Sequence, residues 1–180
     1  GASTGSLLVQ DDEGVENVLR HVNRRAAFHS EDEYRLAERR ALARPGDWTS
    51  HPEVRDAQAA LQSTHRLVRI AKSLGKRIHV LHVTTKEEID FLAQNKDVAS
   101  VEVTPQHLTL VAPEAYERLK GFAQMNPPIR DAGHVAGIWR GIDTGVADVL
   151  GSDHAPHTRE EKARPYPASP SGMPGVQTLV

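Results

Sequence analysis

Short apolar runs alternate with amphipathic segments along most of the chain, and each kind of segment predicts one kind of element. Runs rich in β-branched and apolar residues predict strands. The predicted strands lie at 25–29, 77–83, 98–104 and 147–150. The predicted helices lie at 30–43, 52–74, 85–94, 113–120 and 133–144. This alternation indicates an α/β fold with a parallel sheet.

Three residues mark expected helix ends. Ser30 is expected to cap the N-terminus of the segment 30–43, and Thr85 opens the helix that follows the second strand. Gly75 is expected to end the long helical segment 52–74, because glycine readily adopts the left-handed conformation.

Polar side chains gather where the predicted strands end. His29 and His82 follow the first two strands, the segment 102–107 closes the third, and the segment 153–157 follows the fourth. The carboxyl ends of parallel strands share one edge of a sheet, and active sites are built there. We therefore expect these residues to form a common site.

The amino-acid composition of the chain argues against several classes of function. The chain has 180 residues with 22 basic and 24 acidic side chains, so it offers no electrostatic case for nucleic acid or an anionic membrane. No run approaches the roughly 18 apolar residues of a membrane span. The absence of cysteine excludes thiolate metal sites and cysteine nucleophiles. We expect one domain over 1–180 in a cytoplasmic protein, with no nucleic acid and no membrane as partner.

The segment Gly151–Thr158 carries the most specific chemistry in the chain. Its Asp153 is followed by His154 and His157, so one anionic oxygen donor lies close to two imidazole nitrogens. Zinc accepts carboxylate and imidazole together, and in catalytic sites it keeps one position open for water. This spacing at the end of a strand predicts a zinc site.

Four segments resemble signature motifs of the dihydroorotases, which are cyclic amidohydrolases of the amidohydrolase superfamily. They are Glu102–Leu108 (EVTPQHL), Asn126–Arg130 (NPPIR), Gly151–Thr158 (GSDHAPHT) and Ser169–Thr178 (SPSGMPGVQT). The resemblance implies an α/β fold of the (β/α)8 TIM-type barrel kind. A full barrel takes roughly 250 residues, so we expect the chain to hold about the second half, with both ends truncated.

The resemblance also implies a zinc centre of one or two ions. His29, His82 and Asp153 resemble its metal ligands, and Asp153 also resembles the general base. Glu102 and His107 match the motifs without an assigned role. The positions that resemble substrate-binding residues are Asn126, His157, Pro174 and Gly175.

One motif of the family has no counterpart here. The first two ligands of the family lie in a His-x-His motif, and no His-x-His occurs in these 180 residues. The ligand that bridges two metals is a carboxylated lysine in many relatives and an aspartate in others, for which Asp11 or Asp12 is a candidate. With only three ligands, this chain alone is expected to have little activity.

The reaction that the resemblance implies is the reversible interconversion of N-carbamoyl-L-aspartate and L-dihydroorotate in de novo pyrimidine biosynthesis. One alternative is another cyclic amidase, such as an allantoinase or a hydantoinase. A second alternative is a non-catalytic, dihydroorotase-like scaffold subunit that associates with aspartate transcarbamoylase, which the missing His-x-His would suit. The implied partner is a small-molecule substrate, and a homodimer stays open.

Several histidines lie outside these motifs. They fall in helical or loop contexts, where the sequence shows no partner for them. We expect four of them to be surface residues, namely His21, His51, His65 and His134.

Overall fold

Parallel strands form the centre of the molecule. The computed structural model describes Val9 and residues 11–179. Within them, four strands form a sheet in the order β1-β2-β3-β4. The strands are β1 (Ala26–Phe28), β2 (Ile78–Val80), β3 (Ala99–Val103) and β4 (Val149–Leu150). All pairings are parallel, with Ala27 opposite His79, His79 opposite Ser100 and Val103 opposite Leu150. The prediction of an α/β fold with a parallel sheet is confirmed.

Helices connect the strands and cover the sheet. Those of the described chain are α1 (Asp12–His21), α2 (Glu33–Arg39), α3 (His51–Val54), α4 (Ala57–Ser73), α5 (Lys86–Ala93), α6 (Pro105–Thr109), α7 (Glu114–Leu119), α8 (Ala132–Asp143) and α9 (Arg159–Lys162). Short 3-10 turns lie at Arg40–Leu42, Trp48–Ser50, Lys120–Ala123 and Val176–Thr178. Among the described helices, none combines the length and the apolar character needed to cross a membrane.

Two of the three predicted helix boundaries are confirmed. The Thr85 side chain accepts a hydrogen bond from the Glu88 amide and caps α5. Gly75 follows α4 with a φ of +61°, and the Lys76 amide donates to the Ala71 carbonyl over 2.9 Å. This pattern satisfies carbonyls that the end of the helix would otherwise leave unpaired.

The expected start of the helix after β1 was wrong. Asp32, and not Ser30, caps α2, because its side chain accepts from the Arg35 amide. The Ser30 hydroxyl is buried and bonds to the Thr64 hydroxyl over 2.8 Å. Ser30 therefore contributes to packing between β1 and α4.

The expected long helix at 52–74 is divided. Asp56 adopts an extended conformation and caps α4 through its side chain, so α3 and α4 are separate helices. The pattern also did not predict α1, α6 or α9. The short α6 begins at Pro105, a favourable first helical residue, directly after the cap Thr104.

The main core lies between the sheet and α1, α4, α5 and α8. Ile78, Val80 and Val101 from the strands and Ile70 from α4 are all 0% exposed. Complete burial of each such side chain stabilises the fold by about 1.5–3 kcal/mol. This packing holds the strands in register, and it therefore fixes where their carboxyl ends lie.

A second cluster supports the segment that follows α7. Tyr116, Met125 and Ile129 are buried together. The Tyr116 hydroxyl accepts a hydrogen bond from the Ile129 amide over 2.9 Å. At the far edge of the sheet, by contrast, the β4 residues Val149 and Leu150 are 44% and 46% exposed.

Candidate active site

A cavity of about 490 Å³ opens at the carboxyl ends of the strands. Each strand brings at least one polar residue to its wall. The lining residues with ionisable or amide side chains are His29, His82, Glu102, Asn126, Asp153 and His154. A larger depression of about 680 Å³ lies beside α7, but it has no histidine in its lining. The prediction that strand-end residues form a common site agrees with the cavity that His29, His82, Glu102 and Asp153 share.

Two histidines meet in this cavity. His29 Nδ1 lies 3.0 Å from His82 Nε2, and the rings are 72° apart in an edge-to-face arrangement. Burial, followed by the nearby charges of His29 and His107, holds the pKa of His82 well below its usual value. A neutral imidazole keeps a lone pair, which is the form in which histidine binds metal. The His82 Nδ1 atom is buried and has no partner among the described residues.

A buried ion pair orients the first histidine. His29 Nε2 donates to Glu31 Oε2 over 2.9 Å, so His29 Nδ1 is left to face His82. Arg55 donates from Nε to both Glu31 oxygens, at 3.2 and 3.0 Å. Burial alone would raise the pKa of Glu31, but the charge of Arg55 and the hydrogen bond from His29 hold it well below its usual range. A carboxylate behind a ligating histidine is the usual support of a metal site.

Asp153, on the loop after β4, also lines the cavity. Its carboxyl is half-buried, and burial raises its pKa, with the His29 charge opposing and the Glu102 charge adding to the rise. Asp153 and His82 both adopt positive φ values, 41° and 36°. Such backbone strain costs about 1–3 kcal/mol per residue and is concentrated at functional sites.

The histidine pair fits two positions of a zinc site. Two nitrogen ligands of a tetrahedral zinc ion with bonds of about 2.05 Å lie about 3.3 Å apart, close to the 3.0 Å between these nitrogens. Within the described residues, however, no group of three or more histidine, aspartate or glutamate side chains is spaced to hold a metal ion. The expectation that His29, His82 and Asp153 share one ion therefore stays a prediction.

Asn126 presents a free polar group to the cavity. Its Oδ1 is buried and has no hydrogen-bond partner in the described part of the chain. The backbone beside it is held by His107, whose Nε2 donates to the Pro127 carbonyl over 2.9 Å. His107 Nδ1 in turn accepts from the Thr104 hydroxyl, and burial lowers the pKa of His107 to about 4. His107 therefore supports the wall of the cavity as a neutral side chain.

Glu102 lines the cavity, and its side chain lies against the backbone at two places, His82 and Gly151. Its Oε1 accepts from the His82 amide over 3.2 Å. A Cβ atom on Gly151 would lie only 2.2 Å from the Glu102 Cδ. Position 151 therefore has room for glycine alone while Glu102 keeps this conformation.

Three of the predicted substrate positions lie outside the cavity lining. His157 is exposed, and its Nε2 contacts the Ser171 carbonyl at 3.2 Å. The Gly175 amide donates to His154 Nδ1, and Pro174 is exposed. Their predicted contact with substrate stays a prediction.

Two aspartates considered as bridging ligands lie elsewhere. Asp11 caps α1 through the Gly14 amide. Asp12, at the start of α1, forms ion pairs with Arg66 and Arg69 of α4. Neither lines the cavity.

Residues that the sequence did not single out complete the site. The role of Arg55 has no signal in the sequence, because its partner Glu31 lies 24 positions away. Glu31 lies two residues after His29, and a carboxylate this close to a histidine at a strand end was the one signal in the sequence for their contact. His51 was expected at the surface, yet it is only 4% exposed and donates to the Met125 carbonyl.

Comparison with known proteins identifies relatives along nearly the whole chain. No protein-family model matches the chain. The dihydroorotase of Methanosarcina acetivorans is 33% identical over 191 residues, which cover 99% of this chain and 40% of the relative. That of Pelotomaculum thermopropionicum is 38% identical over 118 residues, covering 64% of this chain and 27% of the relative. The chain thus spans about 40% of the length of the curated relatives that it matches throughout.

Solved structures share the fold. The L-hydantoinase (dihydropyrimidinase) of Arthrobacter aurescens matches 97% of this chain and 41% of its own, with a TM-score of 0.83 and 22% identity. The D-hydantoinase (dihydropyrimidinase) of a Thermus species matches 91% of this chain and 39% of its own, with a TM-score of 0.82 and 21% identity. The fold therefore resembles that of hydantoinases. By sequence, the chain is a homologue of the dihydroorotases, corresponding to about 40% of their length.

Proposed function

We propose that the protein to which this chain belongs is a zinc-dependent cyclic amidohydrolase, and specifically a dihydroorotase. The observation that carries the proposal is the convergence of His29 Nδ1 and His82 Nε2 in the cavity that Asp153 also lines. Homology to dihydroorotases over 99% of the chain supports the same class of substrate. In this proposal, residues 1–180 are one domain that forms about half of a (β/α)8 barrel.

Zinc suits the donors that this chain provides. His29 and His82 would hold the ion, Asp153 would join them, and the rest of the protein would supply further ligands. When bound, zinc polarises the ring carbonyl and lowers the pKa of a bound water towards about 7. Glu31 keeps the His29 ring in the orientation that this binding needs.

The residues of the chain would then move the protons of the reaction. Asp153 accepts a proton from the attacking water and passes it to the ring nitrogen as the amide bond breaks. Its half-buried carboxyl belongs to a residue that lines the cavity proposed to receive the ring. Asn126 Oδ1, which is buried and has no partner among the described residues, accepts a hydrogen bond from a ring N–H. The closure of carbamoyl aspartate to dihydroorotate uses the same groups in reverse.

Turnover of L-dihydroorotate, hydantoin and allantoin by the purified, zinc-loaded protein tests this proposal. We expect dihydroorotate to be the preferred substrate and chelation to abolish turnover. Asp153→Asn should lower kcat by about 10²–10⁴-fold, because it removes the proton carrier. Asp143→Asn, at the exposed end of α8, is the matched control and should leave kcat unchanged.

Other outcomes would replace the proposal. Preferred turnover of hydantoin or allantoin would assign another cyclic amidase. Failure to bind zinc, together with no turnover of any of the three substrates, would refute the enzyme assignment. Full activity of the Asp153→Asn variant would show that Asp153 does not carry the proton.

A further inference from the structure

A buried lysine joins two chain segments that contribute to the cavity wall. Lys162 lies at the end of α9 and is only 4% exposed. Its ammonium donates to the carbonyl oxygens of Gln124, Pro170 and Gly172, at 2.9, 2.8 and 2.8 Å. Gly172 lines the cavity, and so does Asn126, which lies two residues after Gln124. The three hydrogen bonds therefore link segments that are far apart in sequence.

These carbonyls satisfy the ammonium completely. Lysine has three N–H donors, and each finds one acceptor here. In the described part of the chain, Lys162 forms no ion pair with a carboxylate, and burial lowers its pKa to about 8. A buried charge is costly unless its hydrogen bonds are made. The three carbonyls are therefore held in place by the need to solvate the ammonium.

Gln124 strengthens the same junction. Its side-chain amide donates to the Ser169 carbonyl over 2.7 Å and to the Ser171 hydroxyl over 3.2 Å. Its backbone carbonyl accepts from the Gly172 amide over 2.9 Å. Gly172 has a φ of +142°, and a Cβ atom there would lie 2.5 Å from the Ala155 carbonyl oxygen. The loop 169–172 thus depends on Lys162 and Gln124 for its position.

We propose that Lys162 is a positioning residue whose ammonium holds Ser171 and Gly172 against the Asn126 side of the substrate cavity. This role rests on the proposed function, because it assigns the loop 169–172 to the wall that receives the cyclic amide. Lys162 does not touch the reacting atoms. It holds the position of a loop that lines the cavity, and it therefore acts on substrate binding more than on the chemical step.

Replacement of Lys162 distinguishes an effect on substrate binding, measured by KM, from an effect on the chemical step, measured by kcat. In the zinc-loaded protein, Lys162→Met should raise the KM for dihydroorotate by about tenfold while kcat stays within about threefold. Hydrogen exchange at the Gly172 amide should become about tenfold faster, because the loop opens locally. Lys162→Gln keeps two donors and should be intermediate in both measurements. Lys72→Met, on an exposed site of α4, is the matched control.

The outcomes distinguish this proposal from the proposed function. Unchanged KM and unchanged Gly172 exchange in a folded Lys162→Met protein would overturn the positioning role. If Lys162→Met does not fold, the KM and the Gly172 exchange rate are measured on Lys162→Gln instead, and wild-type values of both would overturn the positioning role. If the wild-type protein turns over no cyclic amide, the proposed function fails. Hydrogen exchange at the Gly172 amide still tests the positioning role of Lys162 in that case, and an unchanged rate in the Lys162 variants would refute it.

Discussion

Glu31→Gln tests how the site is built, because it removes one charge and little volume. The Glu31 side chain is fully buried, and Arg55 is 15% exposed. The substitution removes the negative charge of Glu31 from its ion pair with Arg55, and it leaves His29 Nε2 without a charged acceptor. Two effects should follow, one on the stability of the fold and one on the affinity for zinc.

The magnitudes follow from the burial of the pair. Removing one partner of a buried ion pair destabilises a protein by roughly 3–5 kcal/mol. Because Arg55 keeps some access to water, we expect the lower end, a loss of about 3 kcal/mol in the free energy of unfolding. Loss of the support behind a ligating histidine should weaken zinc binding by about 10–100-fold.

Two assays measure these effects. Urea denaturation of the metal-free protein gives the free energy of unfolding, and competition with a chelating dye gives the affinity for zinc. Glu38→Gln, on the exposed face of α2, controls for the loss of one carboxylate. A Glu31→Gln protein with the stability and the zinc affinity of the control would refute the proposed support of His29.

Two further predictions concern other buried positions. Burial lowers the pKa of His51 to about 4 from its ordinary 6.5, so the folded state binds fewer protons than the unfolded state between these pH values. Stability should therefore fall as the pH drops through this window. From pH 7 to pH 5 the free energy of unfolding should fall by about 2 kcal/mol more in the wild type than in His51→Gln; equal pH dependence in urea denaturation would contradict this. Gly151→Ala places a Cβ atom against Glu102, and it should cost about 1–3 kcal/mol in unfolding experiments and lower kcat. Wild-type stability and kcat in this variant would show that Glu102 is free to move.

The pattern of the sequence was sufficient for the strands and for the edge of the sheet where the site lies. β-branched runs such as 77–83 predict buried strands from local preferences and spacing alone. Parallel order then places residues after the strands at one edge, so His29, His82 and Asp153 could be named without coordinates. The helix start at Thr85 could also be predicted from the sequence, because a capping side chain bonds to the backbone of its own first turn.

Tertiary structure alone decided which side chains meet and which are buried. His29 and His82 are 53 positions apart, and Lys162 and Gln124 are 38 apart, so no local pattern records their contacts. His51 looks like an ordinary surface histidine until Tyr116 and Tyr166 pack around it. Local propensity acts over a few residues, whereas burial and the pairing of charges depend on the packing of elements that are distant in sequence.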